Sequence, residues 1–180
     1  MAKKSSAHTL EYILLGLIKE EPAHGYALFE KLRSTKELSL IWQTKRSKLY
    51  YLLDKLESDD LLVSSITSQG PYPDRKVYQI TSQGDQILET WMYSPVMSSR
   101  YVRLAFLSKL FFVLRQDQTR AAELIDAQLG VCQDWLANLE PQFQGLADEE
   151  FINAQVFLFR IGQIEAMLNW LRNLRDTISG

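Results

Sequence analysis

The stretch Thr44-Lys45-Arg46-Ser47-Lys48-Leu49-Tyr50-Tyr51-Leu52-Leu53-Asp54-Lys55-Leu56-Glu57 carries two patterns at once. Leu49, Leu52, Leu53 and Leu56 recur at i, i+3, i+4 and i+7, the spacing that lines apolar side chains along one stripe of an α-helix. Ser47, Tyr51, Asp54 and Ser58 then point away from that stripe, with Lys48, Tyr50 and Lys55 on its flanks. Thr44 is the expected N-cap. The outward surface is basic and aromatic over the first two turns and acidic from Asp54 through Glu57, Asp59 and Asp60. A polyanion such as DNA is attracted to the first part and repelled by the second, so the helix is expected to approach it by its N-terminal half.

Upstream, Ile13, Leu14, Leu17 and Ile18 predict a helix from Thr9 to about Glu20, closed by Pro22. Tyr26, Leu28, Phe29 and Leu32 predict a second, short one ending near Ser34, and Thr35–Gln43 reads as a loop. His24 is read as a hydrogen-bonding residue at that helix's start. Downstream the period changes toward 2 at Leu61, Val63 and Ile66; a turn-rich Ser68–Asp74 follows, and Arg75–Ile80 alternates again. Together these predict a two-stranded hairpin. A fourth helix, Gln83–Met92, is capped by Thr81 or Ser82. Three helices, a hairpin and a helix make the order of a winged helix-turn-helix, so the fold class is mainly α with a small β-hairpin.

Ser94, Pro95, Ser98 and Ser99 break the chain, and a boundary is placed at 93–98. Residues 1–93 form the expected winged-helix domain and 94–180 a helical domain. In the latter, Leu104, Leu107, Leu110, Phe111 and Leu114 predict one amphipathic helix. Thr119 is expected to cap a second, with Pro141 and Gly145 marking its end, and Asp148 a third running almost to the C-terminus. At ~30 residues, roughly 45 Å, that apolar last helix is too long for so small a domain to cover, which implies a second subunit.

Net charge is −2, yet the halves differ: residues 1–80 hold 12 Lys and Arg against 10 Asp and Glu, and residues 81–180 hold 8 against 12. Between Lys31 and Lys55 seven basic residues face two acids. The single Cys132 makes no internal disulfide and reads as a buried thiol. With two His, no Gly-rich phosphate loop and no ligand spacing for a metal, neither an enzyme nor a metal or cofactor site is expected. The apolar runs Tyr12–Ile18 and Leu104–Leu114 are shorter than a membrane span, and no leader pattern follows Lys3 and Lys4, so a cytoplasmic location is expected.

Four blocks in order resemble the PadR-type transcriptional regulators: Tyr12-Ile13-Leu14-Leu15-Gly16-Leu17; Pro22-Ala23-His24-Gly25-Tyr26; Leu49-Tyr50 with Leu53, Leu56-Glu57 and Leu61-Leu62; and Arg75-Lys76-Val77-Tyr78 with Ile80-Thr81 and Gly84. Trp91, Pro95, Arg103 and Phe106–Phe111 resemble the regulatory half of one branch. Tyr51 stands where the family often has Pro, and Asp60 where it often has Gly, which leaves open the turn after the third helix. The resemblance implies a winged helix-turn-helix that binds double-stranded DNA at a near-palindromic operator as a homodimeric repressor. It also implies response to small aromatic effectors, for which Trp91, Trp135 and Trp170 are the candidates. The candidate DNA surface is Thr44, Lys45, Arg46, Ser47, Lys48, Tyr50 and Tyr51 on the third helix, with Arg75 and Lys76 side by side on the wing as phosphate anchors. The alternative is a dimeric module whose winged helix contacts protein.

Overall fold

In the computed structural model, which describes residues 9–69, 72–146 and 151–179, the leucine stripe is fully internal. Leu49, Leu52, Leu53 and Leu56 are each at most 1% exposed and seat α4 (Arg46–Ser58) against the rest of its unit. α1 (Thr9–Glu20) is the central helix: besides Ile13, Leu14, Leu17 and Ile18, Leu10 and Leu15 are buried, so apolar residues surround it. α2 (Gly25–Ser34) ends where expected. His24 caps it, its Nδ1 accepting from Ala27 N at 3.1 Å. The expected loop after it contains a further helix, α3 (Lys36–Ile41), held by the burial of Leu38. A six-residue helix is too short for a period to declare itself in sequence.

The hairpin is part of a three-stranded antiparallel sheet. β2 (Leu62–Gln69) and β3 (Tyr72–Ile80) pair as foreseen, with an irregularity between Thr67 and Gln69, and β1 (Ala23–His24) adds to the other side of β3. Two residues leave no alternation to read, so β1 has no signature in the sequence. The phase of β2 also differs from expectation: Leu62 is buried while Val63 is exposed, and Ile66, on the same face as Leu62 but further along the wing, is exposed as well. A one-residue change of phase exchanges the faces of a strand. The turn-rich tip at Gly70-Pro71 and the expected cap Asp148 lie outside the described residues.

The turn between α4 and β2 closes the helix in a defined way. Asp60 has φ of 58°, Leu61 N donates to Leu56 O at 2.9 Å, and Asp60 N donates to Glu57 O at 3.1 Å. That is a Schellman closure with Asp60 at the left-handed position, which glycine adopts without strain and Asp tolerates. Thr81, the cap of α5 (Ser82–Met92), donates from Oγ1 to Asp60 O at 2.8 Å and accepts from Gly84 N at 3.0 Å, tying the turn to the next helix.

The chain forms two compact units. One takes in the chain up to Tyr93 and Tyr101–Val113; the other takes in Ser94–Arg100 and everything from Leu114. The division is therefore not one cut at 93–98: Tyr101–Val113 belongs with the winged-helix elements. Along this stretch of chain a 3-10 turn (Ser99–Tyr101) and a π-turn (Val102–Phe106) lead into α6 (Leu107–Gln116). Of the expected stripe, Leu110 is buried while Leu104, Leu107, Phe111 and Leu114 are half-buried or exposed; Val102, Phe106, Phe112 and Val113 are buried beside Leu110. A π-turn inserts an extra residue and rotates everything after it by about 100°, which accounts for the changed face.

In the second unit α7 (Gln118–Gln144) is capped by Asp117, not Thr119: the Asp117 carboxylate accepts from Thr119 N at 2.8 Å and Arg120 N at 3.3 Å. Asp is the stronger N-cap of the two. Pro141 sits inside α7, and Gly145 follows its end. α8 (Phe151–Ser179) runs antiparallel to α7, since Gln118 Nε2 donates to Ile178 O and Arg175 Nε to Asp126 Oδ1. Buried Gln128 holds Val96 by both its amide groups, accepting from Val96 N at 2.6 Å and donating to Val96 O at 3.1 Å. Cys132 is buried in this unit, where desolvation raises its thiol pKa.

Candidate nucleic-acid interface

The outward side of α4 is as its period requires. Ser47, Lys48, Tyr51, Asp54 and Ser58 are all exposed, Tyr51 by 60%. The helix begins one residue later than expected: Thr44 is half-buried and does not cap it, and Lys45, with φ −85° and ψ 148°, is the boundary residue, making no side-chain capping bond. The first turn of α4 is therefore left without the side-chain acceptor that an Asp or Ser would supply, and a helix N-terminus with uncapped N–H groups favours an anion.

Tyr50 is 38% exposed because one face of its ring lies on Gly25. A Cβ placed on Gly25 would stand 2.6 Å from the Tyr50 ring, so only glycine permits this approach. The same packing joins the start of α2 to α4. Arg46 extends across α2, its guanidinium 5.1 Å from the Tyr26 ring centroid and 5.4 Å from that of Phe29. Lys48 stands 5.0 Å over the Tyr51 ring. The N-terminal half of α4 is thus an exposed shelf of cations and rings.

Ion pairing divides the basic cluster. Lys31 pairs with Glu20 at 3.3 Å, Arg33 reaches Glu30 at 3.9 Å, and Lys55 bridges Glu11 at 3.2 Å and Asp59 at 3.1 Å. Among the described residues Lys45, Arg46 and Lys48 pair with no carboxylate. Lys36 on α3 likewise pairs with no carboxylate among the described residues, so the open positive charge of the cluster is Lys36 together with the three cations at the start of α4.

On the wing, Arg75 and Lys76 are neighbours in sequence but lie on opposite faces of β3 and do not act side by side. Arg75 is exposed and has His24 Nε2 at 3.5 Å. Lys76 turns to the end of α4, donating to Glu57 Oε2 at 2.5 Å with Asp54 at 4.0 Å, and lies 5.2 Å over the Tyr78 ring. The Lys76 ammonium holds the Glu57 carboxyl below its usual range, and Glu57 in turn raises the Lys76 pKa. Alternation along a strand could have signalled that two adjacent side chains diverge.

Residues 14–90, which span this shelf and wing, match the family model described as the transcriptional regulator PadR-like family. The chain belongs to the PadR-like family of transcriptional regulators. It is 28% identical over 137 residues to the negative transcriptional regulator PadR of Bacillus subtilis (strain 168), covering 76% of this chain and 74% of that protein. A PadR family transcriptional regulator from Eggerthella lenta DSM 2243 is 32% identical over 47% of this chain and 69% of its own, with a TM-score of 0.40. Bacillus subtilis PadR solved with operator DNA is 23% identical, covering 94% of this chain and 98% of its own, with a TM-score of 0.47.

Within the PadR-like domain, Trp42 is a residue that sequence reasoning missed. Its indole N–H donates to Ser108 Oγ at 2.9 Å, and Ser108 donates to Leu104 O at 2.6 Å, so the segment feeding α4 is fastened to Tyr101–Val113. The three candidate effector tryptophans fall in different units. Trp91 is in the first, stacked on Tyr12 at 4.7 Å with the Lys109 ammonium 5.1 Å from its centroid. Trp135 and Trp170 are in the second, half-buried and 37% exposed. Among the described residues no cluster of His, Cys, Asp and Glu is arranged to hold a metal ion, and no helix is long and apolar enough to cross a membrane.

Proposed function

We propose that this PadR-like regulator is a dimeric repressor that reads a near-palindromic operator with the N-terminal half of α4. The observation that carries the reading is the partition of charge: Lys31 and Lys55 are neutralised within the fold, while Lys45, Arg46 and Lys48 stand open beside exposed Ser47, Tyr50 and Tyr51. Thr44 precedes them at the uncapped start of α4, and Arg75 adds a cation on the wing. Phosphate contacts from these cations position the protein, and Ser47, Lys48 and Tyr51 supply the base contacts. Similarity to a negative transcriptional regulator supports repression over activation.

Dimerisation through α8 is supported by what that helix leaves uncovered in one chain: Phe151, Ile152, Val156, Leu158 and Phe159 are all 47–69% exposed. Exposed apolar area of that kind marks an interaction face. A planar aromatic effector near Trp91, Trp135 or Trp170 is the proposed release signal. Such a ligand quenches tryptophan fluorescence and weakens operator binding reciprocally.

Footprinting with salt titration tests the DNA reading. Two copies of α4 in successive major grooves give an inverted repeat with half-site centres ~10 bp, roughly 34 Å, apart or a multiple of that. Alanine at Ser47, Lys48 or Tyr51 narrows the gap between operator and random DNA by ~1–3 kcal/mol for each base interaction removed. Alanine at Arg75 weakens all sequences alike and lowers the salt slope by about 0.9 for each phosphate interaction removed. If neither class changes DNA affinity, the winged helix contacts protein instead.

A further inference from the structure

We propose that Glu57 withholds Lys76 from DNA, so that the wing lysine is a latch between wing and α4 and Glu57 is a residue that sets how strongly the wing holds DNA. The inference rests on the DNA-binding reading above and concerns how the wing takes part in it.

Both oxygens of Glu57 are committed. Ser64 on β2 donates to Oε1 at 2.5 Å and Lys76 on β3 donates to Oε2 at 2.5 Å, so one carboxylate at the end of α4 fastens both wing strands. Asp54, one turn earlier, lies 4.0 Å from the same ammonium, and the Tyr78 ring lies beneath it. Two carboxylates around one ammonium leave a local charge of −1. A phosphate approaching Lys76 must displace a preoriented carboxylate and come close to a second one. Arg75, on the other face of β3, meets no carboxylate among the described residues.

The consequence for affinity and its salt dependence follows from counting charges. Phosphate contacts are independent of sequence, and each additional one raises binding to operator and random DNA together. Keeping Lys76 on Glu57 therefore trims affinity for operator and random DNA alike, while the latch holds the wing at a fixed angle to α4.

The test measures binding of full-length protein to a mixed-sequence duplex by fluorescence anisotropy, with potassium chloride varied between about 50 and 200 mM. Expected for Glu57→Gln is binding several-fold tighter and a salt slope steeper by about 0.9 per subunit, because Lys76 is released to a phosphate. Lys76→Ala keeps the wild-type slope, and the double variant returns to it, since the effect of Glu57→Gln runs through Lys76. Glu57→Asp, which draws the carboxylate back by one methylene, moves in the same direction by less and serves if Glu57→Gln folds poorly.

A slope made shallower by Lys76→Ala alone, with Glu57→Gln unchanged from wild type, overturns the proposal, for Lys76 would then already be on a phosphate. A wild-type protein without salt-dependent affinity for any duplex removes the DNA reading itself, and this inference with it. Retained binding with an Arg75→Ala slope that is shallower keeps the DNA reading intact whatever the Glu57 variants do.

Discussion

α4 and α8 both carry leucine-rich stripes at helical spacing, and they end in opposite situations. In α4 every stripe leucine is at most 1% exposed within its own unit. In α8 only Ile164, Leu168 and Leu171 are buried, while Phe151, Ile152, Val156, Leu158 and Phe159 face outward over the first three turns. The same period thus has two meanings. A stripe covered inside one chain is a core and its loss unfolds the unit; a stripe left uncovered is a face whose loss is felt only when something else packs on it.

The largest effect bearing on this contrast is expected at α8. Replacing Phe151, Val156 and Phe159 together by Ser should weaken self-association by at least about 4 kcal/mol, three decades in Kd, since each apolar side chain contributes about 1.5–3 kcal/mol when fully covered. Sedimentation velocity at micromolar concentration is expected to show a dimer for wild type and a monomer for the variant. An unchanged sedimentation coefficient would mean that this face is not the interface.

Leu53→Ala in α4 should behave in the opposite way, lowering the stability of the first unit by about 2–5 kcal/mol in urea titration, because a buried leucine leaves a cavity, and leaving the association constant untouched. If it instead dissociated the dimer without shifting the urea midpoint, the distinction between covered and uncovered stripe would fail.

Lys109 probes the covered side through charge, being a cation buried to 3% exposure in the first unit. Burial depresses its pKa to about 8 from the usual 10.5. Between those values the unfolded chain holds the proton and the folded one does not, so this group's contribution to stability rises with pH over that window, by about 3 kcal/mol in all. Wild type should therefore gain on Lys109→Met between pH 8 and 10.5 in paired urea titrations, and parallel curves would show the ammonium to be solvated.

The smallest effect belongs to the turn that ends α4. Asp60→Gly removes the side chain from a left-handed position and should stabilise by about 0.5–1 kcal/mol, read as a higher urea midpoint at unchanged slope. A lower midpoint would show that the Asp60 side chain itself supports the turn.

What the amino-acid order alone determined is everything governed by near neighbours. The extent of α1, α2, α4 and α5, the outward direction of Ser47, Lys48 and Tyr51, the His24 cap and the β2–β3 hairpin all follow from spacing of a few residues. The four PadR-like blocks were readable for the same reason. Short or phase-shifted elements were not: β1 and α3 are too brief to show a period, and the π-turn at Val102–Phe106 rotates the stripe that follows it.

Only the tertiary structure decided which charges remain open. Lys55 meets Glu11 across 44 residues, Lys76 meets Glu57 across 19, and Trp42 meets Ser108 across 66. Sequence alone presents Lys48 and Lys76 as equivalent cations of the DNA surface and leaves the partners of Lys55 unstated. They differ because an ion pair forms where a carboxylate comes within about 4 Å; local spacing supplies Asp59 to Lys55, but Glu11 and Glu57 are brought to Lys55 and Lys76 only by how the helices and sheet pack.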